Sequence, residues 1–199
     1  MGQDGNGGHA HNDTGSFELN YKGKDFIIDP GSYVYTADPK QRNKFRSIFS
    51  HSIFAIRNQE FNRFIKGKLF TLQGAEPPKV RLKIKKSQII FSISYFDKKL
   101  KRIFKISPKN VKISDKVNSP NRQKLIQNLI LNDRIKTNIG KNQVILSKNR
   151  IKIYLKIHNP KLEPIEISKA YNQKINSYKI TNIIPPTQKN KIIEIISRN

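Results

Sequence analysis

The sequence holds no cysteine. Disulfides and thiolate metal sites are therefore excluded, and any metal site must be built from imidazole and carboxylate. No run of about 18 apolar residues occurs, so no membrane span is expected. No charged-then-apolar leader opens the chain, so no signal peptide is expected on it. Met1 is followed almost at once by GNGGHAHND, which reads as the interior of a longer frame. A helix of three turns, an internal repeat and a clear linker are all missing, so residues 1–199 read as one domain. Acidic residues are scarce as well: 14 Asp and Glu stand against 39 Lys and Arg, a formal net charge of +25.

Such a field attracts polyanions: nucleic acid, acidic polysaccharide or an anionic membrane surface. Lys, Asn and Ile are over-used together, however, and the lysines are spread evenly. The charge reads mostly as compositional drift rather than a dedicated binding face. Aromatic residues are not set out as a stacking platform and no nucleic-acid motif occurs, which argues against a specific nucleic-acid binder.

What is present is strand rhythm. Hydrophobic residues make up 36% of the chain, enough for a core at this length. Ile leads them, with Phe, Leu and Val, a set that favours strands. Residues 16–21 alternate, Lys22-Gly23-Lys24 is a turn, and 25–29 form the return strand, stopped by Pro30-Gly31. Residues 32–36 read as a short extended piece, 38–47 as a polar loop carrying one helical turn, and 52–57 as an apolar strand. From residue 79 onward the segments 79–85, 88–96, 100–106, 111–117, 124–131, 144–147, 150–158, 179–184 and 191–196 alternate or nearly so, with Pro185-Pro186 a turn before the last. KVRLKIKK and RIKIYLKIH place a cation at every second position, giving one charged and one apolar face. The fold class is all-β, an antiparallel β-sandwich.

The four histidines are few, and His9 and His11 lie one residue apart. In an extended segment both face one way. Asp29 and His51 complete a candidate set of imidazole and carboxylate ligands suited to zinc. On spacing alone the alternative weighs more: His9 and His11 cap a loop through hydrogen bonds.

Three segments carry a family resemblance: GGHAHND, the hairpin SFEL…YKGKDFIIDPGSYVYT, and RNKFRSIFSHSIFAI. Together they span roughly residues 5–62 and resemble the C-terminal domain of heparinase II/III-like polysaccharide lyases. Residues 168–177 are similar, more weakly, to a later segment of that family. The resemblance implies a supersandwich-like sheet domain that partners an N-terminal α/α toroid missing from this chain. It implies β-elimination of a uronic-acid-containing acidic polysaccharide, in the periplasm or outside the cell. It places His9 at the catalytic centre, with His11, Asp29 and His51 on a structural Zn2+. Residues 1–15 become an active-site loop, 16–62 a metal-site hairpin region, and 63–199 the remaining sheets. A toroid encoded separately is the implied partner. The alternative is a non-catalytic polyanion- or sugar-binding β-domain, or a degenerate lyase fragment. Tyr33 and Tyr35 read as core or interface residues and Arg42 and Arg46 as solvated arginines. Asn12 and Asp13 read as loop residues bonded locally, and His158 as a strand histidine without chemistry.

Overall fold

A computed structural model of the chain describes residues 7–73, 79–95, 97–118, 123–185 and 190–197. The expected turn residue Pro186, the strand end at Phe96 and the first six residues of the N-terminal loop lie outside these. The opening hairpin forms as expected, from β1 (Leu19–Tyr21) and β2 (Lys24–Ile27). Lys22 and Gly23 both have positive φ, at 51° and 70°. Such a two-residue turn matches the twist of the flanking strands.

Between β2 and the next strand lie α1 (Pro39–Phe45) and a single 3-10 turn (Ile48–Ser50). Asp38 caps α1, its carboxylate accepting from the Gln41 N–H at 3.0 Å, and Pro39 opens the helix. Short strands β3 (Phe54–Ile56), β4 (Arg63–Phe64) and β5 (Leu72–Gln73) follow. The long strands come next: β6 (Lys79–Lys85), β7 (Gln88–Tyr95), β8 (Lys98–Ser107) and β9 (Asn110–Asn118). After these run β10 (Leu125–Ile130), β11 (Lys136–Ile139), β12 (Gln143–Lys148) and β13 (Ile151–Lys156). The chain closes with β14 (Lys161–Ala170), β15 (Gln173–Ile184) and β16 (Asn190–Ser197).

Every strand pairing is antiparallel. The eight-stranded sheet runs β11-β12-β13-β16-β9-β8-β7-β6 and the four-stranded one β14-β15-β10-β3. Their inner faces meet in two buried clusters. In one, Ile113, Leu146, Leu155 and Ile193 of the large sheet pack with Leu129 and Ile180 of the small one. In the other, Ile93 and Leu100 meet Phe54, Ile56, Leu125 and Ile184. The architecture is the expected all-β sandwich.

The sheets are also bolted by charge. Arg102 on β8 grips Asp115 on β9 in a bidentate pair, with N–O distances of 2.7 and 2.8 Å. Gln127 of β10, in the opposite sheet, donates to the same carboxylate at 2.7 Å. The remaining guanidinium nitrogen of Arg102 reaches the Gly15 and Ser52 carbonyls at 2.9 and 3.1 Å. One buried network thus joins both sheets, the N-terminal loop and the residue after His51. A half-satisfied network here would be costly, because a buried charge without partners is strongly destabilising.

Three expectations need correction. Residues 39–45 form a seven-residue helix of about two turns where a loop with a single helical turn was expected. Residues 32–36 form no strand: Tyr33 sits at φ 60°, in the left-handed region, and breaks extension. His158 lies beyond β13, exposed, bonded to Asn142 at 2.6 Å. Among the described residues no helix is long and apolar enough to cross a membrane.

Candidate functional site

The site grows from three local structures. The first is the Asp29-Pro30-Gly31 turn. Asp29 follows β2, where the Ile28 N–H is held by the Ile130 carbonyl at 3.0 Å. Its Oδ1 accepts from the Gly31 N–H at 2.8 Å, closing an Asx turn. Gly31 has φ +79°, and a Cβ on it would lie 2.0 Å from the Ser168 carbonyl oxygen. That oxygen belongs to the bulge in β14, where Ser168 also donates its N–H to Pro30 at 2.7 Å. Only glycine satisfies both the turn and the approach.

The second is the 3-10 turn that presents His51. Ser47 caps it, and Ser52 accepts the Ile130 N–H at 3.0 Å, so His51 enters the sandwich fully buried. Its Nδ1 meets Asp29 Oδ2 at 3.0 Å. Burial works to raise the Asp29 pKa, but the His51 hydrogen bond and charge, with the Gly31 N–H, outweigh it and hold the carboxyl below its usual value. The other ring nitrogen, Nε2, is buried without a hydrogen-bond partner, and it offers a lone pair whenever the ring carries its single proton on Nδ1.

The third is the loop carrying His9 and His11. Its backbone turns at Gly7–Ala10, where the Ala10 N–H bonds the Gly7 carbonyl at 3.1 Å. The loop is therefore not extended, and the expected same-side arrangement of the two histidines does not arise from strand geometry. His11 turns inward, its ring centroid 5.3 Å from that of His51. Its Nε2 lies 3.2 Å from both Ser32 Oγ and Arg42 Nη1. A guanidinium can only donate, so Nε2 is the acceptor and the ring is neutral. Burial, then the charges of His51 and Arg42, lower the His11 pKa to about 4.

His9 is exposed. It meets the Tyr35 and Phe70 rings edge-on, with centroids 5.6 and 5.8 Å away. Tyr35 also stacks near Phe70 and Tyr171, at 6.1 and 6.2 Å. Arg42 lies over the Tyr35 ring at 4.9 Å while bonding His11. One side chain thus couples the inward histidine to the surface that carries the outward one.

Residues 1–190 match the family model described as "Heparinase II/III-like, C-terminal". The chain belongs to this heparinase II/III-like C-terminal domain family. A heparin-sulfate lyase of Pedobacter heparinus is 43% identical over 54 residues, 26% of this chain and 8% of the relative. Two solved structures share the fold of the heparinase II/III-like domain. Heparan sulfate lyase HepC from Pedobacter heparinus aligns at TM-score 0.76 and 18% identity, over 96% of this chain and 31% of the relative. A heparinase III, the BT4657 gene product, aligns at 0.75 and 18%, over 95% of this chain and 30% of its own. The chain therefore spans about three tenths of the solved relatives it matches.

Within this heparinase II/III-like domain, His11, Asp29 and His51 come together, and His9 stands apart on the surface. The donor set suits a zinc-type ion: two imidazoles, one with a buried unpartnered nitrogen, and a carboxylate whose oxygens keep further lone pairs. Their present placement is another matter. His11 Nε2 is engaged by Ser32 and Arg42, and among the described residues no three His, Cys, Asp or Glu side chains surround a common point at ligand spacing.

Sequence reasoning missed the supports. Arg42 and Arg46, read as solvated, are fully buried. Arg46 donates to Asn43 Oδ1 at 2.9 Å and to the Leu69 carbonyl at 2.8 Å, tying down the segment before Phe70. Their i,i+4 spacing in a helix capped by Asp38-Pro39 was a readable sign of a shared face. Asn12 was expected to bond locally, but it is buried and binds Glu60 at 2.7 Å and the Asn62 carbonyl at 2.9 Å. Glu60 in turn accepts from the Ile48 N–H at 2.9 Å, so the histidine loop and the 3-10 turn share one carboxylate. Nothing near Glu60 in sequence announces this role.

Proposed function

We propose that this chain is the β-domain half of a polysaccharide lyase acting by β-elimination on uronic-acid-containing polysaccharides in the periplasm or outside the cell. The observation that carries the reading is the convergence of His11, Asp29 and His51 behind a surface on which His9 is exposed among aromatic rings. The names of the relatives, heparin-sulfate and heparan sulfate lyases, point the same way.

In the proposed reaction the C5 proton of the uronate is removed, the C4–O4 bond breaks, a C4=C5 double bond forms, and the departing O4 takes a proton. The uronate carboxylate must be neutralised as charge develops at C5. His9 either takes the C5 proton or bonds the carboxylate, depending on the epimer. Zinc, when bound, would be held by His11, Asp29 and His51 and would fix the loop against the Asp29 turn. Arg42 positions His9 through Tyr35. The groups that complete the site belong to a helical toroid beyond residues 1–199.

The test has two readouts. Purified chain should carry about one zinc, lost in His11→Ala. Mixed with a helical toroid domain and heparan sulfate, it should generate the ultraviolet absorbance of an unsaturated uronate, and His9→Ala should abolish that signal. A well-folded, metal-free wild type with no activity in the mixture would sink the reading. The exposed row Tyr171, Tyr35 and Phe70 favours one second reading, a sugar-binding domain without turnover. Binding that survives His9→Ala, with no elimination under any pairing, would select it.

A further inference from the structure

The positive charge of this protein is not evenly placed once the strands are paired. In the sheet registry of β6–β9, alternate residues face away from the core. Arg81, Lys101 and Lys116 form one row across that outer face, and Lys85, Lys105 and Lys112 another. Lys83 stands between the rows, and Lys79 and Lys99 lie beyond the first. Within these four strands Asp115 is the single acidic residue and points inward to Arg102, while Glu194 of the neighbouring strand β16 pairs with Lys112 at 3.3 Å and marks the edge of the cationic face. On the four-stranded sheet the charges are mixed. On β14, Glu163 faces Lys179, while Glu166 pairs with Lys44 and Lys174.

We propose that the outer face of β6–β9 is a binding surface for a linear acidic polysaccharide. Same-face cations recur about 7 Å apart along β6 and β8, about 5 Å apart between β8 and β9, and about 10 Å apart across β7, which contributes no cation. A shallow groove lined by Arg81, Lys83, Lys85, Ser92 and Lys101 crosses this face, with the side chain of Ile90 between the cations. Lysines carry the charge, with Arg81 the single guanidinium, so the face offers point charges to sulfate and carboxylate groups rather than bidentate recognition. No aromatic ring points outward from these strands to stack a base, and no helix projects to enter a duplex groove. Those absences favour a polysaccharide over nucleic acid. The inner side of the same strands holds the Gly15 carbonyl through Arg102, so this surface faces away from the histidine loop. The choice of ligand class rests on the reading above, but the place does not. An enzyme that works along a polymer gains from such a second foothold, because two linked contacts raise avidity.

The test uses a heparin oligosaccharide of defined length, measured by titration calorimetry at about 0.15 M salt. Arg81→Gln/Lys83→Gln/Lys101→Gln should raise Kd by about tenfold or more and flatten its salt dependence. Lys40→Gln/Lys124→Gln/Lys161→Gln removes the same charge from exposed sites elsewhere and should change Kd less than about twofold. Equal losses in the two variants would overturn the proposal, since net charge alone would then explain binding. A duplex DNA of matched charge that binds as tightly and loses as much would overturn the ligand assignment. If His11→Ala weakens heparin binding while the lysine variant does not, the oligosaccharide sits at the histidine loop and the proposal fails, whatever elimination assays report.

Discussion

The two sheets of this sandwich solve different problems. In the eight-stranded sheet each strand is decided by its own alternation: β13 reads IKIYLK, with Ile153 and Leu155 buried and Lys152 and Lys156 exposed. In the four-stranded sheet the central strand β10, LIQNLI, is buried at all six positions. Its polar pair is not solvated but engaged, Gln127 by Asp115 and Asn182, and Asn128 by the Phe49 carbonyl. The large sheet is a scaffold with one wet face. The small sheet is covered on both faces because the elements that build the site lie over it. A sheet that positions chemistry gives up clean patterning, and its polar atoms must be satisfied from distant parts of the chain.

The largest effect should come from cutting the link between the sheets. Arg102→Met leaves Asp115 buried with only Gln127, and should cost about 3–5 kcal/mol in urea unfolding. Adding Asp115→Leu removes the stranded charge and should recover a good part of that loss. If single and double variants lose the same, the pair is not what joins the sheets. Next is Gly31→Ala. It combines a left-handed φ with a Cβ 2.0 Å from the Ser168 oxygen, and should cost about 3 kcal/mol. The equivalent change at Gly23, where nothing lies within 4 Å, meets no such clash. Its cost should stay near the about 1 kcal/mol of the backbone conformation alone. Equal losses at the two glycines would dissolve the contrast between a turn that serves the site and one that serves the hairpin.

The same contrast explains what could be read from residues alone. The expected strand 79–85 coincides with β6, because KVRLKIK carries both its period and its two faces locally. β14 was not foreseen. Its sequence KLEPIEISKA contains Pro164, which normally demotes a strand, and it escapes that rule by lying at the sheet edge. β15 was seen only in its last six residues, since its first half pairs with that unforeseen edge. At the site, motif resemblance grouped His11, Asp29 and His51; the structure sets His51 against Asp29 and against the His11 ring, without a metal-ligand cluster among the described residues. Arg42, Arg46 and Glu60 were not foreseen as site supports, because each is defined by partners at least a helical turn away and mostly more than ten residues off. Local pattern reports which face a residue is on, but not which distant atom it will answer.

A smaller effect is expected from acid, in chelator. The His11 pKa is lowered to about 4 in the folded chain, against about 6.5 unfolded. The unfolded state binds the proton more readily, so the stability contributed by the neutral ring is complete above about pH 6.5 and is lost as pH falls toward 4. On the order of 2 kcal/mol should disappear across that window. His11→Gln should flatten the dependence there, as followed by urea midpoints at a series of pH values. Asp29, whose pKa is also held down, adds a loss only at still lower pH as its carboxyl protonates. An unchanged slope in His11→Gln would place the titration on another group.

The smallest effect falls on the wet face, and there its sign is the informative part. Lys83 is exposed on the edge strand β6, among cations and without an acidic neighbour on its face. Lys83→Gln removes repulsion and no contact, so it should stabilise by a few tenths of a kcal/mol at most. Salt should abolish the gain, because exposed charges are screened within about 10 Å at 0.1 M. Lys44→Gln, across the molecule, breaks a 2.6 Å pair with Glu166 and should shift stability slightly the other way. Opposite signs at low salt that converge at high salt would mean that one face of this protein keeps its charges against its own stability. Equal signs would mean that the lysines of β6 carry no electrostatic strain, and that their arrangement is no different from that of the rest of the chain.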